Sequence, residues 1–323
     1  MSVATNPRAR SARVAASLLA AIAVAACAGT PETYTPGVMT KEQIARCREV
    51  AQAYFDRKPE YQAMRDELRE DELASKWFVR YLIHGIVTMR EGQSVLLSEE
   101  KVRLDKIRRQ RKAPPRFDLP GQRDDLRAIH QIVAMGEPAV EVVIEDLLKD
   151  RQEFLRTIGV EILAGVGDAA VPNLLALAKG GDARQQGQAA RALGAIGARG
   201  PALAALRELA GSPEWRVRSD AAQALGTGGV EARTLLIAML QDGDPFVQRK
   251  AAETLASYPD AIAAGALVDF LESCKERNEW NGELAAQNAL QQIAGSKGPR
   301  TAQAWRHFVE QLREGGDQAQ HGR

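Results

Sequence analysis

Residues 217–229 read VRSDAAQALGTGG and residues 247–259 read VQRKAAETLASYP, and these two stretches decide the fold. In the first, Val217, Ala221 and Leu225 recur at every fourth position, so they lie on one face of a helix. The second stretch repeats this spacing, starting 30 residues further along the chain. A period of this size predicts stacked structural repeats, not one compact domain.

The same register recurs through the last two-thirds of the chain. A large apolar anchor lies near the end of each first helix, and the anchors are Ile132, Leu163, Leu193, Leu225, Leu255 and Leu290. A small residue precedes each anchor by four positions, and these residues are Ala128, Gly159, Ala189, Ala221, Ala251 and Ala286. Small residues allow neighbouring helices to approach closely, so we expect the first helices to stack.

Helix-ending residues follow the anchors by four positions, at Gly136, Gly167, Gly197, Gly229 and Pro259. Glycine supplies a left-handed helix end and proline cannot continue a helix. A second apolar helix follows each of these turns, and Asp150, Asp182 and Asp244 are expected to cap the next first helix. No segment of this stretch alternates with period two. The sequence therefore predicts an all-α solenoid of about six helix pairs.

Two runs carry a family resemblance, PEWRVRSDAAQALG at 213–226 and DPFVQRKAAETL at 244–255. They resemble the first helix of HEAT repeats in the short bacterial form, like the repeats of phycobilisome lyases. The resemblance covers roughly residues 122–314 and implies a HEAT-like stack. The last unit departs from the pattern because Gln287 replaces an apolar residue, and we expect Trp305 to close the apolar end of the stack.

The first 26 residues are interpreted as an export signal outside the fold. Arg8, Arg10 and Arg13 form a basic region, and the apolar residues 14–26 are too few to span a membrane. Residues 24–27, with the sequence VAAC, resemble a bacterial lipobox. The resemblance implies cleavage between Ala26 and Cys27 and attachment of lipid to Cys27. The alternative is an ordinary secretory signal cleaved at Ala25 or Ala26.

Acyl chains on Cys27 predict a protein that is anchored to a membrane outside the cytoplasm. Ala28 follows the cysteine, where the lipoprotein family uses Asp for retention in the inner membrane. We therefore expect attachment to the outer membrane, facing the periplasm. The predicted organisation is a signal peptide at 1–26, a flexible tether at 27–39, an N-terminal helical region at 40–117, the repeat solenoid at 118–314 and a disordered tail at 315–323.

The N-terminal helical region lacks the repeat. A capping-box pattern at Thr40–Gln43 predicts a helix to about Arg57, and further helices are expected near 73–90 and 98–112. These helices form either a small bundle or a cap on the first repeat. The apolar face Trp77–Met89 is expected in the core, with a lipid-facing role as the alternative.

Basic residues cluster at 101–116 and include Arg108 and Arg109. Their ordinary interpretation is a solvated helix end, but they are also candidates for contact with lipid phosphates, cell wall or an acidic partner. Besides Cys27, the sequence contains Cys47 and Cys274. Both lie on core-facing stripes, so they are either buried thiols or one disulfide bridge.

Composition and motifs point away from catalysis. The formal net charge is +1, and removal of the three signal arginines leaves about −2, so no basic field favours nucleic acid. The four histidines have no metal-ligand spacing, and no nucleotide or hydrolase motif is present. We therefore expect no catalytic residue, cofactor or metal.

The sequence predicts a non-enzymatic scaffold that binds a protein or peptide along a groove lined by the second helices. The candidate contacts are Glu141, Glu145, Arg207, Glu208 and Gln241. The alternatives are a cell-wall or lipid-surface element that uses residues 101–116 with Arg108 and Arg109, and a HEAT-like enzyme. The sequence leaves the oligomeric state and the partner open.

Overall fold

The computed structural model describes residues 39–87, 122–295, 298–299 and 301–321. This part of the chain is helical and contains no strand. Three helices precede the repeats, and they are α1 (Lys41–Phe55), α2 (Tyr61–Leu68) and α3 (residues 72–87). The first helices of the pairs are α4 (Gln122–Met135), α6 (Glu153–Val166), α8 (Ala183–Ile196), α10 (Trp215–Ala224), α12 (Pro245–Leu255) and α14 (Trp280–Ala294). The second helices are α5 (Glu137–Val143), α7 (Val171–Gly180), α9 (Gly200–Ala210), α11 (Gly229–Met239), α13 (Ala261–Arg277) and α15 (Ala302–His321).

The chain divides into two compact units, and the boundary along the sequence falls between Ile162 and Leu163. Helices α1 to α5 belong to the N-terminal unit, and α7 to α15 belong to the C-terminal unit. The first helix pair therefore shares a unit with the three helices that precede the repeats, whereas the sequence placed a boundary at residue 118.

The predicted repeat register is confirmed by burial. All six anchors are completely buried. The small residue four positions before each anchor is also buried. Glycine at the predicted turns adopts the left-handed region, with φ of 67° at Gly136, 75° at Gly167 and 69° at Gly229. A side chain at these positions would strain the backbone, because L-residues rarely adopt positive φ.

Close approach between helices explains the small residues beside the anchors. A Cβ atom built on Gly194 of α8 would lie 2.5 Å from the Cα atom of Ala224 in α10. A Cβ atom on Gly159 would lie 2.5 Å from Cδ1 of Leu148. Neither position has room for a larger residue. These small residues therefore set how closely neighbouring helices approach each other.

Aspartate caps follow the prediction in two places. Asp182 forms a capping box with Gln185 at the start of α8, and Asp244 accepts a hydrogen bond from Phe246 N at 2.8 Å. Asp150 does not cap α6. Its carboxylate accepts a hydrogen bond from the backbone N–H of Gln152, which lies one position before the first residue of the helix. An additional cap is Asp260, which accepts from two backbone N–H groups of α13.

The core of the N-terminal unit includes the apolar face of α3. Trp77 and Phe78 are buried, which confirms the core interpretation of this face within the described residues. Cys47 of α1 is completely buried and its Sγ donates to Ala74 O at 3.6 Å. Both Cys47 and Cys274 are free thiols, so the bridge is not formed. Burial raises the pKa of Cys47 to about 12, which keeps this thiol protonated and unreactive.

Helix α15 extends past residue 314, where the sequence predicted a disordered tail. The helix continues through Gly315 and Gly316, which lower helical propensity without ending it. Trp305 in this helix is buried, as predicted.

One helical run, Glu153–Gly180, has the length and composition to cross a membrane, although buried helices of soluble proteins meet the same criterion. The run contains two helices, α6 and α7, because a 3-10 turn at Gly167–Ala170 separates them.

Candidate interaction surface

Hydrogen bonds join successive intra-pair turns along one side of the C-terminal unit. We define the turn edge as residues 197–200, 226–230 and 257–262. Ala198 N donates to Thr227 Oγ1 at 3.1 Å, and Thr227 Oγ1 donates to Gly194 O at 3.2 Å. Gly228 N donates to the hydroxyl of Tyr258 at 3.2 Å, and this hydroxyl donates to Leu225 O. The turns at 197–200 and 226–230 are therefore each held by a side chain of the next repeat.

The loops between pairs lie at the opposite ends of the helices, because the helices of each pair are antiparallel. We define the loop edge as residues 181–184, 211–216, 241–246 and 278–281. Arg218 joins two of these loops, 211–216 and 241–246. Its guanidinium donates to both carboxylate oxygens of Asp242, at 2.7 and 2.8 Å, and also to the carbonyl oxygens of Ser212 and Pro213.

The Arg218–Asp242 pair is half-buried, with 17% of the arginine side chain and 10% of the aspartate side chain exposed. Burial of Asp242 opposes ionisation, but hydrogen bonds from Arg218 and from Asp244 N outweigh it. The pKa of Asp242 is therefore lowered from its ordinary value. The pair stays charged at neutral pH and fixes the loop between α11 and α12.

Three aromatic side chains form a row along the loop edge. Trp215 and Phe246 stack with ring centroids 5.3 Å apart, and Trp280 is the first residue of the next first helix. Phe246 is 52% exposed and Trp280 is 68% exposed. Large exposed aromatic groups in successive repeats are unusual on a surface that contacts only water.

Arginine side chains accompany these rings. Arg216 lies over the Trp215 ring at 4.6 Å, and Arg249 lies over the Phe246 ring at 5.1 Å. Arg184 occupies in α8 the helical position that Arg216 occupies in α10. Within the described residues, neither Arg184 nor Arg216 forms an ion pair with a carboxylate. We call Arg184, Trp215, Arg216, Phe246, Arg249 and Trp280 the aromatic–arginine row.

The sequence prediction missed this row, although a signal was present. Trp215 and Trp280 lie ten positions before their anchors and Phe246 lies nine, so all three stand in the first turn of a first helix. Val217 and Val247, each eight positions before its anchor, are completely buried, so the core face of the helix begins after these rings. Aromatic residues that recur before the core face in several repeats indicate a surface.

The predicted partner contacts Glu141 and Glu145 face another helix of the same unit. Lys76 of α3 lies 2.5 Å from Glu141 Oε2, and Arg80 lies 3.4 Å from Glu145 Oε2 and 3.3 Å from Asp146 Oδ2. Hydrogen bonding and charge from Lys76 lower the pKa of Glu141. Both carboxylates therefore have cationic partners within the chain.

The other predicted contacts lie on the exposed surface of the C-terminal unit. Arg207 forms an exposed ion pair with Glu231 of the next second helix. Glu208 is exposed beside it, and Gln241 is exposed in the turn after α11. Arg207 and Glu208 lie on the second helix α9, whereas Gln241 belongs to the loop edge, which also carries the aromatic–arginine row.

Several predicted positions lie outside the described residues: Ala26, Cys27, Arg108 and Arg109. Among the residues that the structure describes, no group of three or more His, Cys, Asp or Glu side chains is placed to hold a metal ion.

Comparisons with known proteins identify the repeats. A family model for HEAT repeats matches residues 140–226 and 203–291. No curated protein matches the chain. Among solved structures, an engineered protein from the Northeast Structural Genomics Consortium is 27% identical, with 52% of this chain and 84% of that chain covered and a TM-score of 0.35.

A second engineered protein from the same consortium is 18% identical, with coverages of 91% and 82% and a TM-score of 0.35. The crystal structure of Kap121p bound to Ste12p is 12% identical, with a TM-score of 0.40. That alignment covers 93% of this chain and 33% of the other. The family match, together with the buried anchors and the glycine turns, shows that residues 140–291 carry HEAT-like repeats within an all-α fold.

Proposed function

We propose that the protein is a membrane-anchored, non-enzymatic interaction scaffold of the bacterial cell envelope. HEAT-repeat solenoids commonly bind protein partners, and this supports the scaffold role. The signal-like residues 1–26 and the lipobox ending at Cys27 support export and anchoring. In this proposal the anchor is held in the outer membrane and the repeats face the periplasm.

One observation carries the binding role, namely the aromatic–arginine row. Tryptophan, phenylalanine and arginine are enriched at protein interfaces, and tryptophan and arginine dominate their energetic hot spots. Phe246 and Trp280 expose much of their apolar surface to water. A partner that covers these rings removes this surface from water and gains free energy from its burial.

The spacing and charge of the row favour an extended, acidic and apolar segment as the partner. Packed helices lie about 8–10 Å apart, and an extended chain rises about 3.3 Å per residue, so every third residue of such a segment meets a new first helix. Arg184 and Arg216 would pair with carboxylates of the segment, and the rings would contact its apolar side chains.

Peptide binding tests this proposal. The test peptide is nine residues long, and its every third position is occupied by Glu and Leu in alternation. It should bind at least about tenfold more tightly than the same peptide with Lys in place of Glu. The double substitution Phe246→Ser and Trp280→Ser should weaken binding of the acidic peptide by at least about tenfold, because it removes hot-spot side chains. Fluorescence anisotropy of labelled peptide measures both affinities.

The chain supplies a matched control on the turn edge. Val230 and Ile262 are apolar and 68% and 57% exposed, but they stand at the opposite ends of the helices. Val230→Ser with Ile262→Ser should leave the affinity unchanged. An equal loss from both double variants, or equal binding of acidic and basic peptides, would reject the row as the binding surface.

A further inference from the structure

The aromatic–arginine row differs in charge between its two ends. Its helices follow one another in space as they do in the chain, because α8 packs against α10, α10 against α12, and α12 against α14. Arg184 of α8 and Arg216 of α10 are exposed, and neither forms an ion pair within the described stretch 163–295. These two guanidinium groups are therefore available to the carboxylates of a partner.

The acids nearest to these arginines along the chain have partners of their own. Asp182 is engaged at the start of α8, where its carboxylate accepts a hydrogen bond from Gln185 N at 2.8 Å. Glu214, at the start of α10, interacts electrostatically with Arg218. The end of the row at α8 and α10 therefore favours an acidic side chain of the partner.

The cations of α12 are paired within the helix. Arg249 Nε lies 3.7 Å from Glu253 Oε1, and Lys250 Nζ lies 2.7 Å from Glu253 Oε2. Asp244 adds a further carboxylate at the start of this helix. A carboxylate of the partner would meet cations at α12 that already have an acid beside them, so it would gain less there than at α8 or α10.

Around the start of α14 the carboxylates outnumber the cations. Arg277 Nη2 lies 2.9 Å from Glu279 Oε2, and Lys275 Nζ lies 3.8 Å from Glu283 Oε1. Glu276 is exposed and forms no ion pair with any residue that the structure describes. This end of the row therefore disfavours an acidic side chain of the partner.

Apolar surface continues along α14 beyond the row. Trp280 is 68% exposed, and Leu284, four positions later, is 39% exposed. Residues four positions apart lie on the same face of a helix, so the two side chains form one exposed apolar surface. A partner that covers both removes more apolar area from water than one that covers Trp280 alone.

We propose that the partner segment is bipolar, with its carboxylates over α8 and α10 and its apolar side chains over α12 and α14. This placement rests on the binding surface proposed above. The acidic half of the segment pairs with Arg184 and Arg216. The apolar half covers the rings of Phe246 and Trp280, and Leu284 is an additional contact for it.

Two capped ten-residue peptides of identical composition test the placement. Both carry two Glu and two Leu at every third position, in the order Glu, Glu, Leu, Leu in the block peptide and Glu, Leu, Glu, Leu in the alternating peptide. The block peptide should bind the purified protein at least about fivefold more tightly in fluorescence anisotropy, because it alone places both carboxylates on unpaired arginines and both leucines on apolar surface.

The two peptides separate this placement from the binding surface itself. Equal affinities of the block and alternating peptides would overturn the placement and leave the binding surface intact. Failure of both peptides to bind would reject the binding surface and the placement with it.

Double-mutant cycles locate each half of the block peptide. Arg184→Gln should weaken binding several-fold, and this loss should largely disappear when both glutamates of the peptide are replaced by glutamine. Leu284→Ala should also weaken binding several-fold, and this loss should persist with the glutamine peptide but disappear when both leucines are replaced by serine. Arg199→Gln, at an exposed arginine of the turn edge, is the control and should leave the affinity unchanged.

The two substituted side chains are exposed, so the melting temperature of each variant should stay close to that of the wild type. A change in affinity then reports on binding and not on folding. Coupling of Arg184 to the leucines, coupling of Leu284 to the glutamates, or unchanged affinity in both variants would contradict the placement.

Discussion

Leu225→Ala is expected to lower the free energy of unfolding of the C-terminal unit by about 3–4 kcal/mol. Leu225 is completely buried and serves as the anchor of α10, and the residues around it are fixed by close packing. Its backbone carbonyl also accepts from Tyr258 of the next repeat, so the local backbone cannot easily collapse into the cavity. Urea denaturation followed by circular dichroism measures the loss.

Leu284→Ala provides the matched control for this substitution. Leu284 lies in the first helix α14 but is 39% exposed, so its removal should cost about 1 kcal/mol or less. A loss below about 1 kcal/mol for Leu225→Ala would mean that the anchors do not hold the stack together.

Arg218→Ala is expected to lower the free energy of unfolding by about 2 kcal/mol, because it removes charge-assisted hydrogen bonds from a half-buried ion pair. Asp242 would stay half-buried without its bidentate partner, and the carbonyl groups of Ser212 and Pro213 would lose their donors. The control is Arg207→Ala, whose ion pair with Glu231 is exposed on both sides, and which should cost less than about 1 kcal/mol. Equal losses from the two substitutions would contradict the role of Arg218.

Acid should narrow the difference in stability between the wild type and Arg218→Ala. The pKa of Asp242 in the folded protein is lowered from 3.8, so its contribution to stability is present above that value and is lost as the pH falls through the folded value. Denaturation measured from pH 7 down to about pH 2 should therefore show a constant difference above pH 3.8 and a shrinking one below it. A constant difference over this range would show that Asp242 does not titrate with the pair.

The sequence was sufficient to predict the repeats because burial and turn chemistry leave local signals. The anchor Leu193 and the turn residue Gly197 are both read from spacing alone, and both have the predicted structural role. The cap at Asp182 is likewise a local feature, since the side chain bonds to a backbone group three residues away. Such interactions depend on neighbours in the sequence and little on the rest of the fold.

Contacts between distant segments were not predictable from these patterns. Lys76 and Glu141 are 65 residues apart, and only the packing of α3 against the first pair brings them together. The bond between Arg65 and Gln131 depends on the same kind of packing, because the two residues come from separate helices. The exposed ring of Trp280 is not predictable from the repeat register for a different reason: the register identifies apolar residues on the core face, and this ring lies outside that face.

Site-specific photo-crosslinking in cells tests the central claim most directly, that the protein is an anchored scaffold whose loop edge binds a partner. A photoreactive residue at Trp280 is compared with one at Val230, each 68% exposed, in the unaltered chain and in Cys27→Ala. We expect a discrete adduct from position 280 in the membrane fraction, suppressed by the acidic peptide, no adduct from position 230, and loss of membrane association in Cys27→Ala. Adducts of equal yield from both positions, or a Cys27→Ala protein that remains in the membrane fraction, would contradict it.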